Sequence, residues 1–183
     1  FNSSGSKANI LKLTGDRGAS PTLVANSATV SAYADPGVAH QPAPGADDIE
    51  IFYAGAQNVA YSQRRVYLAL NDAGTGNSGF YVSKINVDSF VEERNITYYS
   101  GTEYYYYPNV TLFGSDSNNP LVGVAMSFSS DAIYPSAAIK TYQDFTVDAS
   151  GGFWKIVPRG RKRLRSPDPA WDGERPVSCC SAA

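Results

Sequence analysis

The chain has 183 residues and weighs 19.6 kDa, the size of one domain with a sizeable core. Charged residues make up 17% and aromatics 13%, with 13 tyrosines, a balance that excludes disorder throughout. Residues 155–183 carry seven basic and three acidic side chains, whereas the 154 before them carry eight and fourteen. An acidic body with a basic tail argues against a nucleic-acid-binding domain, which sets its basic stripe on the folded part. No apolar run approaches the roughly 20 residues that span a bilayer. Phe1-Asn2-Ser3-Ser4-Gly5 has no signal-peptide character and no starting Met, so the chain reads as mature or truncated. Cys179 and Cys180 are adjacent and nearly terminal; the body has no disulfide framework and no thiolate metal site.

In chain order, residues 1–20 read as a polar lead-in with one short strand at 10–13. Residues 21–34 are small and β-branched and suit an extended segment. Asp35-Pro36-Gly37 signals a turn, and Gln41-Pro42-Ala43-Pro44-Gly45 a connector with no helical option. Strands are expected at 49–53, 58–61 and 65–70, a turn cluster at 71–79, then strands at 80–87, 96–99, 104–112, 121–128 and 137–142. That gives about eight strands at the roughly 8–12-residue spacing of sandwiches, barrels and propeller blades. No window carries a capped 3.6-residue period, so the body is read as all-β. A weak echo between 48–99 and 104–146 suggests four-stranded blades repeated at roughly 40–50 residues.

Tyr107-Pro108-Asn109-Val110, then Gly114, the apolar-Gly-apolar-Ser run at 121–130, and Tyr134-Pro135-Ser136 resemble blades of secreted, sialidase-like β-propeller proteins. Residues 41–70 resemble the blade before it, and the likeness covers about 30–146. It implies antiparallel four-stranded blades of a partial propeller, about two to three of them; the alternative is a β-sandwich. The sialidase repeat Ser-x-Asp-x-Gly-x-x-Trp is absent, since Ser129-Ser130-Asp131-Ala132 lacks its Gly and Trp. The division expected is 1–47 as lead-in and connector, 48–154 as blades and 155–183 as a basic, Pro-rich, disordered tail.

Candidate chemistry is sparse. His40, the only histidine, sits in the Pro-rich connector and reads as surface loop; a multi-His metal site and a His-based triad are both excluded, since neither the partners nor the spacing exist. Glu92 and Glu93 are adjacent, so on a strand they point to opposite faces and are no glycosidase pair. A sialidase-type site would need Tyr with Glu, as around Glu103-Tyr104-Tyr105, plus arginines to grip an acidic sugar; the body offers Arg17, Arg64, Arg65 and Arg94. The oxygen-rich run around Asp116 and Asn118 suits calcium, or an ordinary hairpin turn. Tyr98, Tyr99, Tyr104, Tyr105 and Tyr106 form the most unusual run. One strand face of it is expected to pack and the other to meet a partner or sugar. Asn95-Ile96-Thr97 and Asn109-Val110-Thr111 are sequons. Arg161-Lys162-Arg163-Leu164-Arg165 reads as a cleavage or localisation signal, or as plain solvated tail.

The expected function is a non-catalytic extracellular or cell-surface segment for binding or assembly, with a protein or carbohydrate partner, and part of a larger chain or oligomer. The alternatives are a fragment of a sialidase-like glycoside hydrolase and a structural subunit of a larger surface assembly. No cofactor is expected apart from calcium.

Overall fold

A computed structural model describes residues 5–15, 18, 20–42, 47–52, 54–73, 76–114, 120–143, 145 and 153–156. The chain is all-β, as expected: 71% of these residues lie in strands and none in a helix. The strands are β1 (Gly5–Thr14), β2 (Thr22–Tyr33), β3 (Val38–Ala39), β4 (Ile49–Glu50), β5 (Ala56–Ser62) and β6 (Arg65–Asp72). They continue with β7 (Gly79–Asn86), β8 (Val91–Tyr98), β9 (Tyr104–Phe113), β10 (Leu121–Ser130), β11 (Ile133–Gln143) and β12 (Phe153–Ile156).

They form a six-stranded sheet in the order β1-β2-β8-β7-β6-β5, a four-stranded meander β12-β11-β10-β9, and the β3-β4 pair. The six-stranded sheet is curled into a half-barrel. Tight turns join β5 to β6 and β7 to β8, with Gln63, Arg64 and Phe90 at positive φ. β2 joins β8 in parallel through a single pair, Thr29 beside Val91. The lead-in therefore supplies two strands of the larger sheet.

Period-two alternation explains the packing. Tyr67, Ala69, Phe80, Val82 and Ile96 point from the larger sheet toward Tyr105, Val110, Val122, Val124, Met126, Phe128, Ala138 and Tyr142 of the smaller one, forming one core. β7 is buried on both faces, because Ile85 meets Ala8, Ala28 and Val30 of the β1–β2 hairpin on the opposite side. Fully burying each such side chain contributes about 1.5–3 kcal/mol. Tyr105 and Val110 both face the main core although their spacing is odd. A β-bulge reconciles them: the partner advances from Ala125 to Ser127 while β9 retreats from Asn109 to Tyr106, with Tyr107 at φ +54°.

The differences from the expected strands have local causes. The strand at 49–53 stops at Glu50, and the Ile51 N–H instead meets the Gly37 carbonyl at 3.2 Å. Asn71 and Asp72, read as turn residues, complete β6 because their side chains satisfy backbone groups elsewhere. β8 starts at Val91 rather than 96, since Glu92 and Glu93 each find donors on opposite faces. β3 and β12 carry too few residues to show a period, and β12 runs across the expected 154/155 boundary.

Candidate functional site

The five tyrosines occupy several environments. Tyr105 is in the main core, with Tyr98 edge-on at 5.2 Å and Phe128 stacked at 5.8 Å. Tyr98 also stacks on Phe80 at 5.5 Å, and the Lys140 ammonium lies 4.2 Å above its ring. Tyr104 and Tyr106 face the other way, under β3–β4, against Ala39 and Ile51. His40 stacks on Tyr104 at 4.8 Å, with Asp131 3.4 Å from its Nδ1 and Asp48 4.0 Å from its Nε2. Tyr99 donates to buried Asp72, whose other oxygen accepts the Ala34 N–H at 2.8 Å. Burial, then the Asp72 hydrogen bond, pushes the Tyr99 phenol above its ordinary range. Its ring lies against Gly79, where a Cβ would sit 2.3 Å from a ring carbon.

Tyr99 also lines an open notch of about 340 Å³ with Gly76, Asn77, Ser100 and Gly101. The notch lies where the β6–β7 and β8–β9 connections meet. Asn77 Nδ2 reaches the Glu103 carbonyl at 3.4 Å. Glu103 itself accepts the Tyr105 hydroxyl and the Lys155 ammonium, each at 2.5 Å. Burial alone would raise the Glu103 carboxyl, but Lys155 and then Tyr105 hold it below its usual range.

Glu92 is the most heavily hydrogen-bonded carboxylate on the curled face. It accepts Tyr81 OH, Ser83 Oγ at 2.5 Å, and both the N–H and Oγ of Ser31 at 2.9 and 3.0 Å. Asn95 Nδ2 reaches both Ser31 Oγ, at 2.8 Å, and Glu92, at 3.2 Å. Burial opposes the charge, yet these donors outweigh it and the Glu92 carboxyl titrates below its ordinary range. Glu93 points the opposite way to Arg65 at 2.6 Å. The two glutamates are thus divided between faces as their adjacency requires.

Asn109 is exposed, while the Asn95 amide is engaged as described. Asp116 and Asn118 lie outside the described residues, as does the basic run at 161–165. Among the described residues no three His, Cys, Asp or Glu side chains converge as a metal site.

The largest departure from a closed surface is apolar. In the β1–β2 hairpin, Leu13 pairs with Leu23 and Leu11 with Ala25, so these side chains share one face. Leu11, Leu13 and Leu23 are 67%, 68% and 62% exposed. The opposite hairpin face carries Ala8, Ala28 and Val30 onto the body, and Lys12 lies 3.6 Å from Asp88. Thr29 sits beside the first residue of β8, and the hairpin keeps contact with the body through Ala28 and through Lys12, the cross-strand partner of Val24. On β5, Val59 and Tyr61 are 53% and 64% exposed. They pair with Leu68 and Val66 on the face that carries Ile85, where Leu68 already packs against the Ala8–Ala28–Val30–Ile85 cluster.

No family model, curated protein or solved structure matches this chain. Its function is therefore argued from its own surface. The hairpin leucines were the feature missed in the sequence. Their signal was the period-two pair Leu11 and Leu13 facing Leu23 across a Gly-rich turn.

Proposed function

We propose that this chain is a non-catalytic β module that works by association, binding a protein partner or assembling into a larger extracellular or cell-surface structure. The observation that carries this is the β1–β2 hairpin with three leucines on one exposed face, since clustered exposed apolar side chains mark interaction sites. The carboxylates support it too. Asp72, Glu92 and Glu103 are each occupied in holding strands or aromatic rings in place, which leaves none of them poised as an acid–base pair. Exposed Asn109 is compatible with a glycosylated, secreted chain. The blade-like reading draws support from two consecutive antiparallel meanders, β5–β8 and β9–β12; the sandwich reading draws more, because both meanders bury their faces in one shared core.

Carbohydrate binding is a second reading, favoured by the notch. It offers a Tyr99 ring beside the Asn77 amide and Ser100 hydroxyl, the mix of flat apolar and polar groups that sugars contact.

The test of the non-catalytic reading is turnover of a panel of aryl glycosides by the full chain. No release above background is expected. Release that Glu103→Gln abolishes would overturn it in favour of the hydrolase alternative.

A further inference from the structure

We infer that Asn109 is a glycan-bearing residue of this chain and that Asn95 is not. Asn109-Val110-Thr111 and Asn95-Ile96-Thr97 share the Asn-x-Thr form, so the motif by itself does not rank them. The inference rests on the extracellular association reading and adds which face of the module a glycan closes to a partner.

The fold treats the two amides differently. Asn109 lies on β9, on the face of the smaller sheet turned away from the core, since its neighbour Val110 points inward. It is exposed, and so is Thr111, two residues on and therefore on the same face. Across the sheet Asn109 pairs with Ala125 of β10, and Ala125 with Ile139 of β11. Both are exposed as well, so a group carried on Asn109 Nδ2 leads into open space above the sheet. Asn95 lies on β8 beside the root of the hairpin. Its Nδ2 gives one hydrogen bond to Ser31 Oγ at 2.8 Å and one to Glu92 at 3.2 Å.

N-glycosylation joins the amide Nδ2 to the anomeric C1 of an oligosaccharide carried on a lipid pyrophosphate. The new N–C bond replaces the C1–O bond, the lipid pyrophosphate leaves, and the amide gives up one of its two protons to the transferase. At Asn109 that proton serves no hydrogen bond among the described residues, and its loss breaks nothing. At Asn95 it is one of the two donors that tie Ser31 to Glu92, and the sugar would enter the joint between β2 and β8. A glycan on Asn95 is therefore incompatible with the closed root, and one on Asn109 leaves the described contacts in place. The Asn109 glycan shares its face with Phe113 and Ile139, which are 51% and 40% exposed, and screens them. The leucine face of the hairpin, on the other sheet, stays open to a partner.

The experiment expresses the full chain behind a cleavable leader in a eukaryotic secretory cell and reads each sequon separately. Peptide N-glycosidase in water enriched in heavy oxygen turns every glycosylated Asn into a mass-tagged Asp, which peptide mass spectrometry locates. Secreted chain and chain retained in the cell are both read, beside Thr111→Ala and Thr97→Ala, two exposed positions at which the sequon is lost while its Asn stays. The tag is expected at 109 in both fractions and is lost in Thr111→Ala. At 95 the secreted chain should carry it less often by about tenfold or more, the factor that a lost hydrogen bond to a carboxylate corresponds to. Thr97→Ala should leave the tag at 109 and the secreted yield unchanged. An untagged 109 in both fractions overturns the inference, as does a secreted chain tagged at 95 as often as at 109. Asn2-Ser3-Ser4, outside the described residues, falls in its own peptide and does not confuse the count. Whether the native chain is found outside the cells that make it is a separate measurement, so failure of the extracellular reading and failure of this site are told apart.

Discussion

Ser31 of β2 gives both its backbone N–H and its hydroxyl to Glu92 of β8, at 2.9 and 3.0 Å. The two strands share only one ladder pair, so this carboxylate does the joining that a longer ladder would otherwise do. It fixes the root of the hairpin and hence the direction in which the leucines face.

Acid should loosen that root. The Glu92 carboxyl titrates lower in the folded chain than its ordinary 4.5, so its contribution is present above pH 4.5 and lost as pH falls through the folded value. Melting temperature should therefore drop on acidification below about pH 4.5, and the drop should be smaller in Glu92→Gln. Glu92→Ala should cost about 2–4 kcal/mol at neutral pH, since it strands the buried Tyr81 and Ser83 hydroxyls. Thermal melts from pH 3 to pH 7 check both statements.

Asn71 is wholly buried, and its Oδ1 accepts the Tyr107 N–H at 2.8 Å within the β9 bulge. Asn58 does the same for Val110 at 3.2 Å. Side chains of the larger sheet thus occupy edge donors of the smaller one. Asn71→Leu should destabilise by about 2–3 kcal/mol, mainly by leaving the Tyr107 N–H unmade. Asn58→Leu, half-exposed, should cost about 1 kcal/mol or less. Urea unfolding separates the two.

Two glycines should respond differently. A Cβ at Gly79 would stand 2.2 Å from the Tyr98 carbonyl oxygen, which is backbone and cannot step aside. At Gly123 the nearest atom, at 2.7 Å, belongs to the exposed Phe113 ring, which can. Gly79→Ala should cost about 3 kcal/mol and disturb the Tyr99 side of the notch, whereas Gly123→Ala should stay within about 1 kcal/mol. Denaturant midpoints of the two variants decide this.

Most of the β pattern was legible in the sequence because hydrophobic alternation survives wherever one face is buried. Phe80, Val82 and Ile96 on one side, with Tyr105 and Val122 on the other, are the positions that show it. Three features were not legible. The charged start of β8 looks like a loop until Glu92 is seen to meet Ser31, a residue 61 positions away. The Tyr107 bulge hides the parity of the tyrosine run, so which tyrosines point inward cannot be counted from one end. The pairing of the lead-in with β8 rests on one residue pair and leaves no compositional trace.

Hydrogen–deuterium exchange of the full chain at low and high protein concentration tests most directly whether the chain assembles with itself through the leucine face of the hairpin. Peptides covering 10–14 and 22–26 should gain protection together as concentration rises, while those within β7, already buried on both faces, should not change. Exchange in the hairpin that is rapid and identical at both concentrations would contradict that assembly.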